Sequence, residues 1–121
     1  MTPGVFRYTR NLRLVSAADF RRVFDHPQKK AGDRYFTLLA QQNNTGNARL
    51  GLAVSSKTIR TAAARNRIKR IVRETFRLRR QHLDALDFVV IPRQGAVLKN
   101  KRELHAILDK AWSSFIQCNK S

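Results

Sequence analysis

Ten cationic side chains fall between Lys57 and Arg80, eight of them arginine, and the only acid among them is Glu74. Ten bases against one acid give this stretch of 24 residues +9 of the chain's formal +17. Arginine in such density suits phosphate: its planar fork makes two parallel hydrogen bonds to an oxyanion and stacks on bases, which an ammonium cannot do. A self-repelling domain of this kind points to a polyanionic partner, and nucleic acid is the commonest. Hydrolytic chemistry by the chain itself is not indicated. His26, His82 and His105 have neither the i, i+4 spacing of a metal pair nor a fixed acid–base partner, and the acids are equally dispersed, with Asp84 and Asp87 expected where a strand starts. The single cysteine, Cys118, has no second cysteine for a disulfide or a zinc site. Catalytic residues and metal ligands are therefore expected to be absent.

The basic stretch needs a helix to display it. From about Thr61 to His82, Ala64, Ile68, Ile71, Val72, Thr75 and Phe76 recur at i, i+3, i+4, i+7 spacing. At about 100° per residue, Lys69, Arg70, Arg73, Arg77 and Arg80 project opposite that apolar stripe, so one face seals a core and the other faces phosphate. Glu74, four residues after Arg70 and three before Arg77, is placed to make local ion pairs with both. Arg65 and Arg67 flank the first turn with Asn66 between them. They are expected to lie outside the core and to grip one RNA strand near the helix N-terminus.

The remaining elements follow from pattern. Residues 1–15 carry Arg7, Arg10 and Arg13 without an acid and read as an extended basic arm. Ser16 opens a capping-box-like Ser-Ala-Ala-Asp, and Phe20, Val23 and Phe24 at helical spacing predict a short helix from about Ala17 to Asp25. His26, Pro27 and the stretch Gln28 to Gly32 break it. Arg34 to Ala40 and Arg49 to Ser55 read as two antiparallel strands joined by a hairpin loop over Gln41 to Asn47. Asp87 to Ile91, ended by Pro92, suits an interior strand. Asn100 with Glu103 caps a last helix whose stripe of Leu104, Ile107, Leu108, Ala111, Trp112 and Phe115 faces the core, Trp112 as an anchor. The order α-β-β-α-β-α predicts an α+β fold, an α/β sandwich of helices packed on a small mixed sheet.

At 121 residues and 42% hydrophobic composition this is one RNA-binding domain. Its longest apolar runs are a few residues, short of the roughly 20 that span a bilayer, and no export signal follows the N-terminal arginines. A cytoplasmic location is expected, with no membrane and no protein partner. On these grounds a ribosomal or other structural RNA-binding protein is as acceptable as any more specific reading. A histone-like DNA compactor lacks its dimerising element or minor-groove wedge.

The run Arg65-Asn66-Arg67-Ile68-Lys69-Arg70-Ile71-Val72-Arg73-Glu74-Thr75-Phe76-Arg77 resembles the Arg-Asn-Arg signature of the bacterial ribonuclease P protein family. The likeness extends to Asp19-Phe20 through Phe24, to Leu50-Gly51-Leu52-Ala53-Val54-Ser55 and to Asp87-Phe88-Val89-Val90, from about Arg10 to Trp112. Ser56 departs from it, standing where many relatives carry the first of two lysines before Lys57. The resemblance implies a protein subunit that binds a catalytic RNA and the 5′ leader of precursor tRNA, the cleavage being carried out by RNA and magnesium, with no cofactor held by the protein alone. By position it assigns Arg65, Asn66, Arg67, Lys69, Arg70 and Arg73, with Lys57, Arg60 and Arg77, to the RNA subunit. Phe20, Phe24, Thr37 and Leu39 would line the leader cleft. From the residues alone, Phe at i and i+4 is more often core; an open ring edge beside Arg21 and Arg22 would instead make a stacking platform for single strands.

Overall fold

A computed structural model describes residues 17–43, 46–83 and 85–117. The basic arm of residues 1–15, the Ser16 cap, Asp84 and Cys118 lie outside the described residues. Three helices, α1 (Ala17–Asp25), α2 (Ala62–Arg79) and α3 (Lys101–Gln117), pack on a four-stranded sheet of β1 (Lys29–Gly32), β2 (Phe36–Gln42), β3 (Arg49–Leu52) and β4 (Leu86–Pro92). The chain order is α-β-β-β-α-β-α, and the sheet is mixed, in the order β1-β2-β4-β3.

Two strand expectations are corrected. The stretch Gln28 to Gly32, expected only to break α1, contributes an edge strand: β1 pairs antiparallel with β2 from Lys29↔Ala40 to Gly32↔Thr37. Lys29-Lys30-Ala31-Gly32 has no strand-forming composition, and backbone pairing with β2 recruits it, with Ala31 packed on the main core. Its turn supplies the reason. Gly32 sits at φ 126°, where a Cβ would lie 2.2 Å from the Phe36 carbonyl oxygen. The Asp33 carboxylate then accepts from the amides of Tyr35 and Phe36.

The second correction concerns the hairpin. β2 and β3 do not pair: β4 lies between them, antiparallel to β2 and parallel to β3. Phe88, Val89 and Val90 are fully buried, so β4 is apolar on both faces and takes the central position, where both faces are covered. The connection between β2 and β3 is long enough to step over one strand at about 4.8 Å per strand spacing.

α2 and α3 cover one face of the sheet. Phe36, Leu38, Leu50, Phe88 and Val90 meet Ile68, Val72, Phe76, Leu104, Leu108 and Trp112 there in the main core. Phe88 stands edge-on to Trp112 at 5.3 Å and to Phe115 at 5.1 Å between ring centroids. The Trp112 indole N–H donates to Thr75 Oγ1, which itself donates to the Val72 carbonyl, so the polar groups of this core are satisfied. α1 covers only part of the opposite face, over a small cluster of Val23, Leu39 and Val89. Asn100 and Glu103 exchange side-chain-to-backbone hydrogen bonds at the start of α3, the expected capping box.

Candidate nucleic-acid interface

The apolar stripe of α2 (Ile68, Ile71, Val72, Thr75 and Phe76) is buried against the sheet and α3, which turns the opposite side of the helix outward. Thr61 caps the helix, its Oγ1 accepting from the Ala64 amide at 3.1 Å. On the outward side Asn66, Arg70 and Arg73 are exposed, with Lys69 and Arg77 half-buried at its margins. Lys57 and Arg60, on the loop leading into α2, are exposed as well. The structure thus turns Asn66, Arg70 and Arg73 outward with Lys69 and Arg77 at their margins, and leaves Lys57 and Arg60 exposed ahead of the helix.

Arg65 and Arg67 behave differently from expectation. Neither simply reaches into solvent. Arg65 Nη1 donates to the carbonyls of Ile59 (2.9 Å) and Arg60 (3.0 Å), and Arg67 Nη2 donates to that of Lys99 (2.6 Å). Each pins a loop to the first turn of α2. A guanidinium has five N–H donors, so both keep donors for a ligand.

Glu74 is also corrected. It turns to α3 rather than to Arg70 and Arg77, meeting His105 Nε2 at 3.1 Å and Lys101 Nζ at 4.0 Å. His105 therefore has a fixed acidic partner that spacing in the sequence did not reveal. With Arg79–Asp109 at 3.3 Å this contact ties α2 to α3 along their flank. The Glu74 carboxylate is thereby directed to α3 and away from Arg70.

The second candidate surface lies on the other side of the sheet. Phe20 and Phe24 stack with ring centroids 6.4 Å apart and planes 18° apart. Phe20 packs partly on the Val23–Leu39–Val89 cluster, whereas Phe24 is 47% exposed, an open aromatic face flanked by Arg21 and Asp25. Thr37 is half-buried and its hydroxyl accepts from Arg93 Nη2 at 2.8 Å. Leu39, assigned to the cleft lining, is 5% exposed and forms the floor on which α1 rests.

Arg22 does not stand free beside these rings. It donates to the carboxylate of Asp87 at 2.5 Å and to the Gln42 carbonyl at 2.6 Å. Asp87 is fully buried and also accepts a two-pronged contact from Arg49 (both 2.7 Å) and one from Asn43 Nδ2 (2.7 Å). The hydrogen bond that Arg49 donates to Asp87, opposed by burial, raises the Arg49 guanidinium above its ordinary pKa. This hub fastens α1 to β2, β3 and β4. The sequence held one signal for it, an acid at the head of an apolar run, but its partners are distant in the chain.

Among the described residues no three His, Cys, Asp or Glu side chains gather where a metal ion could be held. No helix there is long and apolar enough to cross a membrane.

With this geometry in hand, comparison with known proteins is decisive. The model of the family described as Ribonuclease P matches residues 8–115. The chain belongs to the ribonuclease P protein family. A relative from Salmonella paratyphi A, a ribonuclease P protein component, is 45% identical over 105 residues, 87% of each chain. Among solved structures, a Staphylococcus aureus RNase P protein mutant with defective mRNA degradation activity superposes with a TM-score of 0.79 at 31% identity, over 85% of this chain and 86% of that one. The RNase P protein from Thermotoga maritima gives 0.74 at 30% identity, over 84% and 96%. The mixed sheet and the helices around it are thus the ribonuclease P protein fold.

Proposed function

We propose that this chain is the protein subunit of ribonuclease P, binding the catalytic RNA subunit through the cationic side of α2 and holding the 5′ leader of precursor tRNA against α1. The observation that carries the reading is the division of α2: a sealed apolar side, and an outward side on which Asn66, Arg70 and Arg73 are exposed. A surface rich in exposed cations draws phosphate and releases counterions as it binds.

The exposed Phe24 face supports the leader contact, because aromatic stacking holds a single strand with little regard to its sequence. Leaders vary in sequence, and a stacking platform tolerates that. In this reading magnesium serves the RNA, and no residue of this chain is assigned to it. The protein contributes affinity and position rather than a nucleophile or a base, and its isolated form is inactive toward precursor tRNA. Its place of action is the cytoplasm.

The test is substrate discrimination by the reconstituted holoenzyme. Precursor tRNA with a leader of several nucleotides should bind more tightly than mature tRNA, and this preference should shrink when the RNA subunit is used alone. Equal preference with and without the protein would remove the leader contact from the account.

A further inference from the structure

Arg65 and Arg67 hold the two walls of a groove. The first wall is the loop ahead of α2, pinned where Arg65 takes the Ile59 and Arg60 carbonyls. The second is the single-turn 3₁₀ segment Gln94–Leu98, pinned where Arg67 takes the carbonyl of Lys99, its next residue. Tyr35 backs this second wall. The Lys99 ammonium lies 5.0 Å from the centroid of its ring, and a Cβ placed on Gly95 would come within 3.4 Å of the ring carbons. Between the walls and the first turn of α2 is a groove of about 430 Å³.

The lining has three chemical zones. Ile59, Ala64 and Val97 give it apolar surface. Thr58 and Gln94 add polar side chains to the lining, and Arg60 an exposed cationic one. Leu98, also in the lining, is 87% exposed, the most exposed large apolar side chain among the described residues. An isolated surface leucine needs no explanation, but one beside a braced apolar groove does.

We propose that this groove receives an unstacked nucleobase of the RNA partner. A nucleotide matches these three kinds of side chain: apolar ring faces for Ile59, Val97 and Leu98, polar ring edges for Thr58 and Gln94, and a phosphate for Arg60. The Gln94 amide offers both donor and acceptor, so it can meet the edge of any base. The exposed Arg60 in its lining gives the groove a cationic edge, which favours RNA over an uncharged occupant. This inference rests on the RNA-binding reading above and extends it. The Arg-Asn-Arg run then has a second role besides presenting charge: its arginines preform a base-sized recess.

The experiment measures affinity of the full-length protein for in vitro transcribed ribonuclease P RNA across a salt series. Leu98→Ala should bind about tenfold more weakly, since removing an apolar contact of this size is worth about that factor. Its log-affinity against log-salt slope should match wild type, because an apolar contact releases no counterions. Leu98→Phe should retain affinity by offering the base another flat apolar surface. Arg70→Ala serves as the electrostatic control, weakening binding and flattening the slope. Wild-type affinity for Leu98→Ala beside a weakened Arg70→Ala would overturn the groove proposal and leave the RNA-binding reading intact. Wild-type affinity for both would sink the reading itself. A Leu98→Ala variant that altered only self-association of the free protein would assign the groove to a second copy and also overturn the proposal.

Discussion

Arginine plays two parts in this molecule, and only burial and partners separate them. Arg70 is exposed and free to meet phosphate, while Arg67, three residues earlier on the same helix, holds the Lys99 carbonyl. Arg67→Ala should therefore lower folding stability by about 1 to 2 kcal/mol, the loss of a charge-assisted hydrogen bond. Arg70→Ala should stay within about 0.5 kcal/mol of wild type. Urea unfolding of the two variants checks this, and coincident midpoints would show that the brace contributes nothing. Asp87 is the residue with most at stake, because removing its carboxylate strands Arg49 and Arg22 at a largely buried site. Asp87→Ala is expected to cost about 3 to 5 kcal/mol, as breaking a buried ion pair from one side does. A cost under about 1 kcal/mol, read from the same unfolding curves, would mean that the hub is solvated and unimportant. The cationic composition of α2 was plain in the sequence. The division of labour within it was not, since the acceptors of Arg65 and Arg67 are backbone carbonyls, and every residue has one.

At the level of elements, legibility followed periodicity. α2 and α3 emerged because a 3.6-residue apolar stripe is a local signal, as is the cap of α3 at Asn100, whereas the cap of α2 at Thr61 came only with the structure. Pairing between strands is not local. β2 and β3 read as a hairpin because they are neighbours in sequence, yet β4, apolar on both faces, takes the place between them. β1 escaped notice since two lysines, an alanine and a glycine say nothing of a strand, although lysines suit an edge that must not recruit another chain. The short helix α1 showed its Phe20–Phe24 pair in the sequence but not which ring is open. The structure separates them, and so do the expected mutants. Phe24→Ala should leave the melting temperature nearly unchanged and weaken holoenzyme binding of long-leader precursors by about 1 to 3 kcal/mol, with little effect on one-nucleotide leaders. Phe20→Ala should lower the melting temperature too, because that ring packs on the cluster beneath α1. Binding losses for Phe24→Ala that ignore leader length would return the ring to a purely structural role.

Seen whole, the molecule is a sheet with a different task on each face. One face is sealed by α2 and α3, and α2 carries the charge outward; the other is covered partly by α1, with an open aromatic ring beside it. The excess of positive charge, readable from composition alone, pointed to a polyanion, and the thirteen-residue run from Arg65 to Arg77 pointed to the family. What composition could not convey is that Arg22, Arg49, Arg65 and Arg67 also serve the fold, so the surface available to RNA is smaller than the formal charge suggests. In the function proposed above, the protein assists an RNA catalyst and is not one itself. Cleavage of precursor tRNA at low magnesium tests it most directly, with the protein alone, the RNA subunit alone, and the two combined. The account predicts accurate release of the 5′ leader only in the combined reaction, whereas accurate cleavage by the RNA-free protein, or no gain on adding the protein to its RNA, would contradict it.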